Sequence, residues 1–136
     1  MSVRGGSNEN GALKVIPKSW GQEEILHADA NYTCKFLVYK YPIASSLHYH
    51  PNKHETFVCL SGQFRVSLGE DQKQAWILNT GAYLVIPPNT PHQVHCDAPG
   101  ILVEASSFDD PNDCVRLKPS QIIESTGEPH HAIPAA

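Results

Sequence analysis

Apolar and polar positions alternate along this chain in short bursts. Runs rich in β-branched and aromatic residues recur at 33–41, 46–50, 55–60, 63–68, 74–78, 82–86, 92–96, 100–106 and 114–117. Turn residues separate them, as in Leu68-Gly69-Glu70-Asp71 and Asn79-Thr80-Gly81. Many short strands spaced in this way predict an all-β domain, an antiparallel sandwich or barrel. No stretch carries a convincing helical period, and residues 22–28 read either as one turn or as a strand. Residues 1–15, rich in Gly, Asn and Ser, predict a flexible arm, and 119–136, mixing Pro, His and Ala, a flexible tail. A single folded domain is expected between them, over 16–118.

Strand geometry gives the histidines meaning. Side chains alternate across a strand, so His48 and His50 point to one face and Tyr49 to the other. After Pro51-Asn52-Lys53, the run from Glu55 to Leu60 opens a second strand beside the first, and Ser61-Gly62 supplies a hairpin turn. Proline stiffens the bend after Ile86, which returns His92 over the same cavity. Imidazole nitrogens with a carboxylate oxygen suit zinc, manganese, iron or nickel. His48, His50, Glu55 and His92 are therefore candidate ligands of a divalent transition metal.

The ordering of these residues resembles the two motifs of the cupin superfamily. The first is Gly, five residues, His-x-His, three or four residues, Glu, six residues, Gly. The second is Gly, five residues, Pro-x-Gly, two residues, His, three residues, Asn. Pro42, Asn89 and Cys96 stand where the family has Gly, Gly and Asn, and all four ligand positions match. Asn89 tolerates the left-handed backbone that Gly would use there. The likeness implies a jelly-roll sandwich or barrel over roughly residues 33–106.

A narrower likeness covers Pro17 to Glu24, Tyr32 to Lys35, Ser46 to Gly62 and Val115 to Leu117. It resembles cupin domains related to type II mannose-6-phosphate isomerases, where a Tyr-Gly-Arg element usually follows instead of Lys118-Pro119-Ser120. This resemblance implies a metal-dependent sugar or sugar-phosphate isomerase or epimerase. Lys35 and Glu104 are then candidate catalytic residues, either lining the cavity or facing solvent. Arg116 is a candidate for holding an anionic substrate. Two alternatives stay open: an iron(II)-dependent dioxygenase, and a cupin that binds a carbohydrate or small organic acid without transforming it.

His54 and His95 have the wrong parity for the site and are expected at the rim or outside. Cys96 shares face parity with His92 and can approach the cavity. Cys34, Cys59 and Cys114 form no Cys-x-x-Cys pair and read as reduced, packed thiols. His130 and His131 fall in the Pro-rich tail, and His27 carries no signal.

Composition narrows the partners. At 136 residues the chain fits one core, and a net charge of −4 without a basic cluster offers no surface for nucleic acid. The longest apolar run is far shorter than the ~20 residues that cross a bilayer, and Met1 to Gly6 has no apolar signal core. A cytoplasmic protein acting on a small molecule is expected. Small cupins of this type commonly pair, and edge strands need cover, so a homodimer is expected too. Metal affinity is expected to fall toward pH ~6, because imidazoles must be neutral to coordinate.

Overall fold

The computed structural model describes residues 13–123 and 129–133; the expected N-terminal arm up to residue 12 and the tail at 124–128 and 134–136 lie outside the described residues. Among the described residues fourteen strands, numbered in chain order, form two antiparallel sheets. The first sheet is ordered β1 (Lys14–Lys18), β2 (Gly21–Ala28), β3 (Thr33–Tyr39), β11 (Gly100–Ser106), β6 (Glu55–Ser61), β9 (Tyr83–Ile86). The second runs β12 (Val115–Lys118), β5 (Leu47–Tyr49), β10 (His92–Cys96), β4 (Ile43–Ala44), β13 (Ser120–Ile123), β14 (Pro129–Ile133). It is widened by β7 (Gln63–Leu68), which pairs with β10 and with β8 (Gln74–Asn79). The sheets face each other as a jelly-roll sandwich, and no helix occurs among the described residues.

The strand runs read from the pattern correspond to β3 and β5 through β12. Structure also extends past the expected domain edges. β1 opens at Lys14, and β13 and β14 pair within the stretch assigned to the tail. Among the described residues β1 pairs only with β2, which is why Pro17 is tolerated there: an edge strand can lack an N–H on its open side. Residues 22–28 belong to a strand, with a bulge between Ile25 and His27.

Two sequence expectations need correction. Gly62 does not close a hairpin, because β6 and β7 lie in different sheets. It is a corner, with φ of 86°, where a Cβ would come within 3.1 Å of Gly100 Cα. Only glycine passes that corner without strain. Likewise β6 does not lie beside β5 but faces it across the sandwich. Asn89 does adopt the left-handed conformation (φ 61°), and its N–H donates to the His50 carbonyl at 2.8 Å, pinning the bend before His92.

One end of the interior is apolar. Trp20 stacks on Tyr39 with ring centroids 4.4 Å apart, Tyr39 meets Phe64 edge-on at 5.1 Å, and Leu102, Val66 and Ile43 are fully enclosed. The other end holds the ionisable residues.

Candidate metal centre and its cavity

Sheet pairing explains how distant residues converge. In the second sheet His92 on β10 lies directly opposite His48 on β5, and His48 lies opposite Arg116 on β12. In the first sheet Glu55 is the first residue of β6 and projects inward. Three imidazoles thus approach from one sheet and a carboxylate from the other. One ring nitrogen from each of His48, His50 and His92 lies within 4.8 Å of the others, a grouping that can hold a metal ion. Glu55 Oε2 stands 3.4 Å from both His50 Nε2 and His92 Nε2.

Each imidazole is oriented by a main-chain carbonyl. Nδ1–H of His48 donates to Ser46 O at 2.9 Å, that of His92 to Thr90 O at 2.9 Å, and that of His50 to Asp113 O at 2.7 Å. A carbonyl can only accept, so these bonds place the proton on Nδ1 and leave each Nε2 with a free lone pair. His92 Nε2 and Glu55 Oε2 are buried without a hydrogen-bond partner. Buried acceptors facing one another this closely are costly unless a proton on Glu55 or a cation lies between them. The donor set therefore fits a divalent cation.

Protonation follows burial. Desolvation, then the neighbouring imidazoles, holds His48 well below the ordinary histidine range, and desolvation likewise lowers His50. His92 is pulled down to about 4, chiefly by burial. Glu55 moves the other way, up to about 8, through burial and then the nearby Glu104 carboxylate. This revises the expected pH dependence. Near neutral pH the imidazoles are already free of their second proton, and the proton a metal must displace is the one on Glu55.

His48, His50 and Glu55 open onto a cavity of about 480 Å³ whose lining also includes Lys35, Glu104, Arg116 and Lys53. Lys35 and Glu104 are buried and inward-facing, opposite one another on β3 and β11. Lys35 Nζ contacts Asp109 at 2.8 Å, Glu23 at 3.1 Å and Glu104 at 4.0 Å. Burial alone would lower its pKa, but Glu104, Glu23 and Asp109 outweigh that, and the net shift is upward. Glu104 Oε2 accepts from Lys53 Nζ at 3.1 Å and from Ser106 Oγ at 3.0 Å. Arg116 lines the same cavity from β12, with an exposed side chain.

Lys53, Asp109 and Glu23 were not singled out from the sequence. Lys53 looked like loop, yet it is buried, 3.7 Å from Glu55 Oε1 and 3.2 Å from Asp109. A signal existed: Lys53 lies two residues before Glu55 and so shares its face. Asp109 sits in the loop after β11 and had no periodicity to mark it.

The residues expected outside the site are indeed apart from the histidine group. His54 is exposed, and His95 sits on β10 opposite Ala44 and Arg65. Cys96 does not approach the cavity: it is buried, paired opposite Ile43, with its thiol directed at the Tyr41 carbonyl 3.5 Å away. Cys96 shares the inward face with His92 but lies four residues further along β10, within the apolar core.

The cupin domain family model matches residues 38–105, the segment that carries all four candidate ligands. The chain is a cupin. Among curated proteins, this cupin is 25% identical over 123 residues to the mannose-1-phosphate guanylyltransferase RfbM of Salmonella typhimurium. That match covers 85% of the chain and 24% of RfbM, so the chain spans about a quarter of its relative's length. Among solved structures, KdgF from Halomonas sp. superposes with a TM-score of 0.67 at 15% identity, covering 82% of this cupin and 98% of KdgF. Streptomyces PAC13, solved with uridine, gives 0.70 at 13% identity over 87% and 93% of the two chains. At such identities the structural matches bear on the fold alone.

Proposed function

We propose that this cupin is a metal-dependent sugar or sugar-phosphate isomerase or epimerase, with His48, His50, Glu55 and His92 as the metal ligands. The observation that carries this reading is the pairing of two sets within one cavity. Three imidazoles with fixed lone pairs approach from one sheet and the Glu55 carboxylate from the other, and a buried lysine–carboxylate cluster adjoins Glu55. A metal bound there would supply Lewis-acid polarisation of a carbonyl and its neighbouring hydroxyl.

The chain's own residues supply the rest. In isomerisation Glu104 takes the carbon-bound proton as a carboxylate and returns it to the adjacent carbon, while the proton of the neighbouring hydroxyl passes to the former carbonyl oxygen, so no net proton is consumed. Lys53 and Ser106, both donating to Glu104 Oε2, hold that carboxylate in place. Lys35 stands beside it, and Arg116 at the cavity wall meets an anionic group on the substrate. The relative's name, a mannose-1-phosphate guanylyltransferase, supports a sugar-phosphate direction. Four free cysteines suit a reducing, cytoplasmic setting. No helix among the described residues is long and apolar enough to cross a membrane.

The test is interconversion across a panel of aldoses, ketoses and their phosphates by metal-loaded protein, read by solvent deuterium incorporation. Glu104→Gln should lower kcat by about 100-fold or more while bound metal is kept. No turnover across the panel overturns the reading. Oxygen uptake with iron(II) would assign the site to an oxygenase, and saturable sugar binding without exchange would assign it to a binding protein.

A further inference from the structure

The cavity is longer than a single sugar needs. Outward from the metal ligands along the first sheet, it is lined by Phe57 on β6, Glu104 on β11, Leu37 on β3, Ile25 on β2 and Ile16 on β1. Five strands side by side leave four spacings of ~4.8 Å, so this lining extends over roughly 19 Å. A hexose phosphate that chelates the metal through two oxygens covers about two of those spacings. The remainder reaches from β3 to the edge strand.

Charge is handled differently in that outer part. Lys18 Nζ lies 3.9 Å from Glu23 Oε2, and Lys35 Nζ stands 3.1 Å from the same oxygen, so these groups satisfy one another within the wall. The surface left for a ligand is apolar. Ile16 and Ile25 line the cavity yet stay partly exposed, and neither belongs to the apolar core that holds Trp20 and Leu37. They are diagonal neighbours, because Ile16 lies opposite Glu23 and Ile25 opposite Lys14. Leu37, also opposite Glu23, carries the apolar surface on toward β11 and the metal ligands.

We propose that the substrate has two parts, an oxygen-rich head on the metal and an uncharged alkyl or aryl substituent that runs outward over Leu37, Ile25 and Ile16 to β1. This rests on the metal-centre reading above and adds the class of molecule the centre serves. The occupant belongs to the substrate rather than to a separate partner, since the apolar strip and the metal ligands line one continuous cavity. A volume of about 480 Å³ is also within the range of pockets that enclose a drug-sized ligand with a substantial apolar body.

Alkyl hydroxamates test this, because two oxygens chelate zinc while the chain lengthens one methylene at a time. With the zinc-loaded full chain, affinity measured by calorimetry should rise by up to about fourfold per methylene. The rise should continue past six carbons to decanohydroxamate, whose chain is roughly 12 Å long, for a total gain of at least about 100-fold over acetohydroxamate. Metal-free protein should show no such series. Ile16→Asp and Ile25→Asp each set a carboxylate beside the chain and should cut the gain of decanohydroxamate over acetohydroxamate by about 10-fold or more. Val15→Asp, on the outward side of β1, should leave that gain intact.

Circular dichroism reports whether the isoleucine variants fold. Should they not, the chain-length series on unaltered protein decides the matter. Acetohydroxamate that binds with no gain beyond six carbons overturns this inference alone, and so does a gain that is equal in Ile16→Asp and Ile25→Asp or in metal-free protein. Failure of every hydroxamate to bind the zinc-loaded chain overturns the metal centre, and this inference with it.

Discussion

The two ends of the sandwich interior are built from the same strands and obey opposite rules. β3 contributes Leu37 and Tyr39 at one end and Lys35 at the other; β6 gives Phe57 and Cys59, then Glu55. β10 gives Val94 and Cys96, then His92, and β11 gives Leu102, then Glu104. The apolar end gains free energy from simple removal of surface from water. Charges buried at the polar end lose hydration that their mutual attraction only partly restores. An arrangement that costs stability and recurs on three adjacent strands of one sheet and on β10 of the other points to chemistry rather than to folding.

The comparison can be broken most severely at the apolar end. Leu102→Ala should cost about 2–5 kcal/mol in denaturant unfolding, through lost burial and a residual cavity, with metal stoichiometry unchanged. Lys53→Met should cost about 3 kcal/mol, because Glu104 and Asp109 lose a buried partner. Replacing Lys53 and Glu104 together by apolar residues should recover much of that loss, as the polar end is not there for stability.

Metal affinity sharpens the contrast. His50→Ala or His92→Ala should reduce it by about 100-fold, measured by competition with a chelating dye. His54→Ala should leave it unchanged, and equal loss in both would undo the assignment of faces.

A subtler effect concerns pH. With His92 lowered to about 4 from 6.5, its contribution to metal-free stability is present above pH 6.5 and is lost as the pH falls toward 4. Glu55, raised to about 8 from 4.5, contributes fully below 4.5 and loses that contribution as the pH rises to about 8. Between about pH 4.5 and 6.5 the lowered imidazoles of His48, His50 and His92 outweigh Glu55, so metal-free stability should rise with pH there and then fall from 6.5 to about 8 as Glu55 ionises. Metal affinity should instead rise about tenfold per pH unit up to ~8 and then level off, with one proton released on binding. Calorimetry in buffers of different ionisation enthalpy reads that proton. Glu55→Gln should abolish the slope.

Much of this was legible in the sequence because it is local. His48 and His50 share a face by strand parity alone, and the bend at Asn89 follows from a side chain that tolerates positive φ. What depended on sheet order was hidden. Nothing within a seven-residue strand says that β6 and β7 part company at Gly62, so a corner read as a hairpin. Pro17 and the polar stretch Gln22-Glu23-Glu24 obscured β1 and β2, whose pairing is set by an edge position and by a cavity that takes Glu23 inward. Lys53 and Asp109 carry no local mark of their partners for a related reason: their roles come from long-range ion pairs, Lys53 to Glu104 on β11 and Asp109 to Lys35 on β3.

The carbonyls of Ser46, Thr90 and Asp113 orient the imidazoles through atoms that every amino acid possesses. Sequence drift at those three positions can therefore retune the surroundings, for example the Asp113 carboxylate that caps Asn52 N and Lys53 N at 2.8 Å, without erasing the donors' aim. At Thr90 and Asp113 the centre's supports are exposed to a change in the path of the backbone rather than to a change of side chain.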